Sequence, residues 1–471
     1  MSEAANPPVD WRALWRSGDL ARFCFVSLGI FLHATNETMV ATIMPAMVRE
    51  IKGVEFVGWS FSVYEIGSII AGAATGRLVS FISLRANMVI AALLFASGCA
   101  VCGLAASMPW FLLGRLLEGF GGGGLVALAF VSVERLFPRR IWPQLFAVMS
   151  AVWGVSAFAG PLLGALAAQM ISWRWAFAAS ALGGIAVALA SFVVLGVRAA
   201  LTPARTDGHS PPSFPFDVLA CLAFSVVLIA MAGLAIEILR SSLLLLAGLA
   251  GLALVFRLDA RKPRSRLFPS RPFDWRSPVG TGMTMIAAFS VATVSFGLYA
   301  PLILTSLHGM SLITTGYIIA SESIAWSVLS ILVANAPPRR ERLIITAGAF
   351  MIAGGIMGFA LAVPRGILPL ILACAVLQGG GFGIAWPFVT RMIVAAAAPP
   401  ERTIASSAVP TMQRLGYAVG AAIAGIIANA GGFSKGLSAE TAAGAAVWLF
   451  VAFLPLAALG CVAGWRTARE S

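Results

Sequence analysis

Residues 21–47 form the first of fourteen apolar stretches that recur along this chain. Helical residues rise 1.5 Å each, so about 20 of them cross the ~30 Å hydrocarbon core of a bilayer. The other stretches fall near 56–79, 86–106, 109–135, 144–170, 174–197, 217–237, 241–257, 279–305, 313–335, 343–363, 367–390, 403–428 and 442–464. The eighth is the shortest, at about 16 residues, near the limit for crossing. Only 11% of the residues are charged, against roughly 25% in soluble domains. The pattern predicts an all-α polytopic membrane protein. The residues before Leu20 are polar and hold no short apolar core with a small-residue cleavage site, which predicts no cleaved signal peptide.

The net charge of +13 does not point to nucleic acid, because the basic residues sit in short loops between apolar runs. With the N-terminus in the cytoplasm, roughly 24 Lys and Arg lie inside and about 6 outside, which obeys the positive-inside rule. Arg135, Arg139 and Arg140 fall inside, as do Arg339, Arg340 and Arg342; the outer loop at 105–109 is uncharged. Both termini are expected in the cytoplasm, a parity that suits fourteen spans or twelve. All six cysteines lie in apolar segments. The Cys99-x-x-Cys102 spacing has no second pair, so both read as small hydrophobes on a helix.

The stretches divide into a cytoplasmic segment (1–20), a six-helix bundle (21–197), a linker with a two-helix hairpin (198–278), a second six-helix bundle (279–464) and a cytoplasmic tail (465–471). The bundles echo one another. LLEGFGGGGLVALAF (116–130) and VLQGGGFGIAWPF (376–388) each place an acid or amide, Glu118 or Gln378, before a glycine cluster. Gly160 and Gly164 in the fifth stretch are matched by Gly416 and Gly420 in the thirteenth. A repeat of this kind points to a duplicated transporter whose site lies between its halves.

Charges inside apolar stretches locate that site. Glu37, Glu65, Glu118 and Glu322 each lie roughly 9–15 residues, about 14–22 Å, from the nearest membrane face. Arg115 is shallower and Arg414 is near mid-depth. Burying each charge costs at least ~2.5–3.5 kcal/mol, and the cost is repeated at one level, where transporters bind substrate and coupling ions. The bland alternative is that each charge only pairs with a neighbour to join helices. Desolvation favours a neutral carboxyl and a nearby cation favours a carboxylate. Arg115, three residues before Glu118, is expected to keep it ionised. Glu37, Glu65 and Glu322 are then candidate proton carriers. His33 shares a helix face with Glu37, a spacing that also fits plain packing.

Gly119 and Gly121–Gly124 crowd five glycines into six positions, at up to ~1 kcal/mol each against Ala. Close helix approach compensates such a cost in membranes, whether the contact is static or slides. Gly160-Pro161-x-x-Gly164 combines a small-residue face with a proline that frees a carbonyl. Trp153, Trp326 and Trp386 suit a cavity lining or stacking on a flat or cationic ligand. No P-loop, HExxH or GxSxG occurs, so an ATP-driven pump or hydrolase has no support and no cofactor or metal is expected.

The residues quoted resemble the major facilitator superfamily, and more closely its fourteen-helix drug:proton antiporter branch, over about residues 20–465. TNETMVATIMP (35–45) is similar to the first-helix motif, GRLLEGFGGGG (114–124) to the fourth-helix motif and GVSAFAGPLLGA (154–165, from Gly154) to the fifth-helix antiporter motif. WRWAF (173–177) and QRLGYAVGAAIAG (413–425) fit the same pattern. There are departures. Asn36 takes the place of the family's first-helix aspartate and the acid moves to Glu37, rotated by about 100°. Glu118 replaces a glutamine. GRLVSFISLRA (76–86) keeps Gly76, Arg77 and Arg85 but has Ser80 at an aspartate position, which predicts an altered latch between the halves.

The resemblance implies the major facilitator fold, with two six-helix bundles and a two-helix insertion, and transport rather than catalysis. It implies a bacterial inner membrane location. The preferred reading is a proton-coupled antiporter that exports a small amphipathic or drug-like molecule and acts as a monomer in the lipid bilayer. Its substrate cavity would be drawn from His33, Asn36, Tyr64, Trp153, Trp326, Gln378, Trp386 and Arg414. The alternatives are a transporter of a specific metabolite such as a siderophore, an importer, and a membrane sensor that transports nothing.

Overall fold

The computed structural model describes residues 19–51, 57–170, 172–195, 214–235, 237–310, 312–433 and 439–470. The whole of the 198–213 linker and the first eighteen residues lie outside that set. Among the described residues there is no strand. The chain runs through α1 (Asp19–Ile51), α2 (Val57–Leu78), α3 (Leu84–Leu104), α4 (Met108–Leu136), α5 (Trp142–Met170) and α6 (Trp173–Val194). It continues through α7 (Phe216–Leu234), α8 (Ile238–Ala260), α9 (Pro278–His308), α10 (Leu312–Val333), α11 (Pro338–Arg365), α12 (Leu368–Ala396) and α13 (Arg402–Ala430). The final stretch is broken into α14 (Ala439–Ala446), α15 (Trp448–Val451) and α16 (Leu454–Glu470).

Local chemistry sets the helix ends. Ser83, Ser172 and Ser277 accept hydrogen bonds from the first-turn amides of α3, α6 and α9, which otherwise have no partner. Gly309 and Gly366 end α9 and α11 at φ 62° and 65°, a region that glycine enters freely. Large apolar side chains face outward, among them Val193, Leu182 and Leu332, as a chain solvated by lipid requires.

Among the described residues, twelve segments are long and apolar enough to cross a membrane, fewer than the fourteen expected. The eighth stretch, α8, has 23 residues and is one of the twelve. The two that fall short are α2 and α13. Glu65, Ser60, Ser62 and Ser68 lower the hydropathy of α2, and Ser406, Ser407, Thr411, Gln413 and Arg414 lower that of α13. These two helices pack against each other in the interior, which is why they can be polar.

The packing repeats itself. α2 and α3 pack on α4, and α1 packs on α5 and α6; correspondingly, α10 and α11 pack on α12, and α9 packs on α13 and α16. The first set meets the second along two seams, α2 against α13 and α5 against α10. α7 pairs with α8 and lies against both α2 and α13.

Hydrogen bonds across the seams lie at mid-depth or toward the end of the molecule that carries the basic loops. Ser330 and Ser327 of α10 donate to the carbonyls of Ala147 and Ala151 on α5. Thr403 of α13 donates to Glu134 of α4 at 3.1 Å. Beyond Gly154 the opposite ends of α5 and α10 present exposed side chains, including Phe158, Leu162 and Tyr317. The molecule is closed at its basic end.

Candidate functional site

Arg414 is the centre of the site. It projects from α13 and donates through both Nη atoms to Glu37 of α1, at 3.0 and 2.9 Å. Nη1 also donates to Glu65 Oε1 on α2 at 2.5 Å. The guanidinium lies 5.2 Å from the Trp153 ring centroid, within cation–π range. One cation thus joins α13 to two acids on the other side of the seam. Glu65 Oε2 is buried without a hydrogen-bond partner.

His33 closes the cluster. Its Nε2 is 2.7 Å from Arg414 Nη2 and its Nδ1 is 2.7 Å from Tyr64 Oη. A guanidinium only donates, so Nε2 must accept and the imidazole is neutral, with its proton on Nδ1 toward Tyr64. His33 therefore orients Arg414 and Tyr64 in this conformation.

A second cluster lies deeper. Arg115 and Glu118, both fully buried, meet at 2.5 Å. Arg115 also donates to Asn36 Oδ1 at 2.7 Å and to the Ser60 carbonyl at 3.3 Å, and lies 4.1 Å from the Tyr64 ring centroid. Asn36 Nδ2 is 3.5 Å from Glu118 Oε1. Adjacent residues of α1 thus serve different clusters: Asn36 turns toward α4, and Glu37 turns toward α13 and the cavity. The one-residue displacement of the acid accounts for this division, because it rotates the carboxylate by about 100° around the helix.

Glu322, on α10, has a different environment. It accepts a hydrogen bond from Gln378 Nε2 at 2.7 Å, and no ion pair is formed by it among the described residues. The glycine registers explain why. A Cβ on Gly119 would strike the Tyr64 carbonyl, and one on Gly379 would strike the Glu322 carbonyl. Glu322 therefore corresponds to Tyr64, and Gln378 to Glu118. In this register Ala375 occupies the place of Arg115. The second half has moved its acid to the other helix and has no matching arginine.

Two chambers meet at these groups. The larger, about 510 Å³, is bordered by Glu37, Glu65 and Glu322, with Phe61, Ile66, Trp326, Phe382, Tyr299 and Tyr417. The smaller, about 230 Å³, holds Trp153, Trp326, Trp386, Gln413, Arg414 and Tyr417. Glu37, Trp326 and Tyr417 border both. Trp326 stacks on Phe382 at 4.6 Å and meets Trp386 edge-on at 6.0 Å. Its Nε1 is buried without a partner, as is Gln378 Oε1.

The structure brings together all the acids and tryptophans singled out above, but in three groupings. Asn36, Arg115 and Glu118 form a buried network, and neither chamber includes them. Sequence reasoning missed Tyr299, Tyr417, Gln413, Phe382 and the wall supplied by α7. Tyrosine scarcity was a usable signal: the chain has four, and Tyr64, Tyr299 and Tyr417 all lie around this site.

The small-residue motifs are contact surfaces. A Cβ on Gly76 would lie 3.2 Å from Ile404 Cα of α13, and one on Gly154 would lie 2.9 Å from the Ser323 carbonyl of α10. A Cβ on Gly160 would lie 2.6 Å from the Thr35 carbonyl, and one on Gly164 would lie 3.1 Å from Met39 of α1. Pro161 sits inside α5 between them. Arg77 donates to the Arg264 carbonyl. Arg85 donates twice to the Leu195 carbonyl, capping α6. Ser80 donates to the Arg77 carbonyl, a local turn where an aspartate would reach outward.

The repeated packing and the central polar cavity are those of a multi-pass membrane transporter. A model of the Major Facilitator Superfamily matches residues 26–373, and the chain belongs to that family. It is 29% identical to a Mycobacterium tuberculosis protein named a probable multidrug-efflux transporter, over 100% of this chain and 99% of the relative. It is 23% identical to the multidrug efflux pump SdrM of Staphylococcus aureus, over 84% of this chain and 87% of that one. Among solved structures, the human organic anion transporter MFSD10 superposes with TM-score 0.67 at 16% identity, covering 92% of this chain and 98% of that one. The proton:xylose symporter XylE gives 0.65 at 16% identity, over 95% of each chain.

Proposed function

We propose that this protein is a proton-coupled antiporter that exports amphipathic cations by alternating access. The observation that carries this reading is the charge around the cavity: three carboxylates, Glu37, Glu65 and Glu322, against one guanidinium, Arg414. A proton or a cationic substrate can neutralise the excess, but not both at one acid, and that competition couples their movements. Glu322 has only an amide beside it and is the acid most open to such exchange. Glu37 and Glu65 bridge to Arg414 across the seam, so a change in their charge bears directly on the contact between the halves. The aromatic lining suits the apolar body of the substrate.

The wider assignment follows. The halves are residues 21–197 and 279–464, with the hairpin between them and all fourteen segments crossing, including polar α2 and α13. The basic end faces the cytoplasm by the positive-inside rule, which puts both termini there, in a bacterial inner membrane. The conformation closed at that end is the one that discharges substrate. The metabolite reading that needs an anion site has less support. Arg115 is committed to Glu118, and Arg414 is shared by two acids.

The test is proton flux in inside-out vesicles with an imposed pH gradient, with lipophilic cations and carboxylate chelators added singly. A lipophilic cation should collapse the gradient with the wild type and not with Glu322→Gln or Glu37→Gln. A response to chelators alone would reverse the assignment of substrate charge, and no response across the panel would end the efflux reading.

A further inference from the structure

The export reading leaves the central hairpin without a task, yet one of its helices lines the cavity. Val226, Ile229, Ala230 and Gly233 of α7 border the larger chamber, which Glu322 and Trp326 of α10 also line. α8 lies behind α7, away from the chamber, where Gly248 lets it close on Ile229 and Ser225. The outward side chains of α8, such as Leu243 and Leu246, are exposed.

α7 is held in this position by backbone contacts. A Cβ on Gly425 would lie 3.1 Å from the Gly233 carbonyl, so α7 and α13 approach almost main chain to main chain. Asn429 Nδ2 donates to the Ala235 carbonyl at 3.2 Å. At the basic end Phe214 meets Phe81, at the end of α2, with ring centroids 5.9 Å apart. Arg266 pairs with Glu401 at 2.8 Å, just before α13. α7 thus meets the end of α2 through Phe214 at the basic end and is tied to α13 at the opposite end, while the segment after α8 is tied to the start of α13 through Arg266.

We propose that α7 is a specificity-determining wall of the substrate cavity. The charged end of a ligand faces the acids, and its apolar body lies against Ala230 and Gly233, with the buried Val226 and Ile229 packed behind them. The face carries no charge and only small or aliphatic side chains, so it selects by shape and size. Ala230 is at its centre, where a larger side chain projects into the chamber. This inference rests on the export reading for the nature of the ligand but not for the position of the wall.

Two measurements test it on the full chain. First, Ala230→Cys is made in a Cys24→Ser, Cys221→Ser background, with Leu246→Cys on the outer face of α8 as the control. A charged methanethiosulfonate reagent should label the thiol at position 230 and not that at 246, and tetraphenylphosphonium should slow the labelling. Second, Ala230→Trp should raise the Kd of tetraphenylphosphonium by about tenfold or more while changing that of the smaller tetraethylammonium less than about twofold. Monodisperse elution of each variant shows that it has folded. An unlabelled thiol at position 230 in a folded protein, or equal shifts for both cations, overturns the proposal. If tetraphenylphosphonium does not bind the wild type, the cation-export reading fails, and the labelling still decides whether α7 lines the cavity.

Discussion

At the scale of single residues, Arg414 and Arg115 do different work with similar chemistry. Arg115 and Glu118 are fully buried and form an ion pair, so removing either leaves a charge stranded. Arg115→Ala should cost roughly 3–5 kcal/mol, read as a large fall in Tm in detergent micelles. Arg414 faces two acids with side chains 30% and 26% exposed, and water can compensate part of its loss. Arg414→Ala should therefore cost less, about 2–3 kcal/mol. Arg414→Lys should recover only part of that, since an ammonium cannot grip Glu37 with two parallel bonds. Equal falls for Arg115→Ala and Arg414→Ala would contradict this ordering.

At the scale of elements, glycines decide how closely helices approach. Gly119 packs on the Tyr64 carbonyl, whereas a Cβ on Gly316 of α10 would meet nothing within 4 Å. Gly119→Ala should destabilise by about 1–3 kcal/mol, because backbone must shift. Gly316→Ala should be neutral or stabilise by about 0.4–1 kcal/mol by restricting the unfolded chain. Paired thermal melts separate the two. The start of α6 is tied to α1 at its far end. Trp173 Nε1 donates to Glu50 at 2.6 Å, and Arg174 reaches both Glu50 and the carbonyls of Gly103 and Ala105. The Trp173 bond, with help from Arg174, holds the Glu50 carboxyl below its usual range. A lowered carboxyl stabilises fully above its unfolded value, about 4.3, and loses that contribution as pH falls through the native value. The Tm advantage of wild type over Glu50→Gln should be small at neutral pH, where the site is exposed to water, and should vanish in acid.

At the scale of the whole molecule, the basic end is closed by contacts that leave no room for growth. Gly76 abuts Ile404 and Ser407 at the α2–α13 seam. Gly76→Val should wedge this end open and shift the population toward the opposite conformation. Spin labels replacing Leu162 and Tyr317, at the far ends of α5 and α10, should then move closer in pulsed dipolar measurements. An unchanged distance distribution would mean that the seam is not the moving contact.

The apolar runs, the glycine echo and the mid-depth charges were legible because each is periodic or costly, and a chain shows such features without knowing its partners. Twelve of the fourteen runs carry enough apolarity to cross a membrane, and the two polar ones, α2 and α13, are the pair that face each other. The partners of the charges were legible only where they share a helix, as Arg115 and Glu118 do. The meeting of Arg414 with Glu37, 377 positions away, depends on how the halves dock. So does the cavity wall made by α7, whose run is as apolar as any lipid-facing helix. Hydropathy by itself determined that twelve of the segments are apolar enough to leave water. Only the tertiary structure decided which faces meet across a seam, because a transfer free energy is a property of one segment and a contact is a property of two.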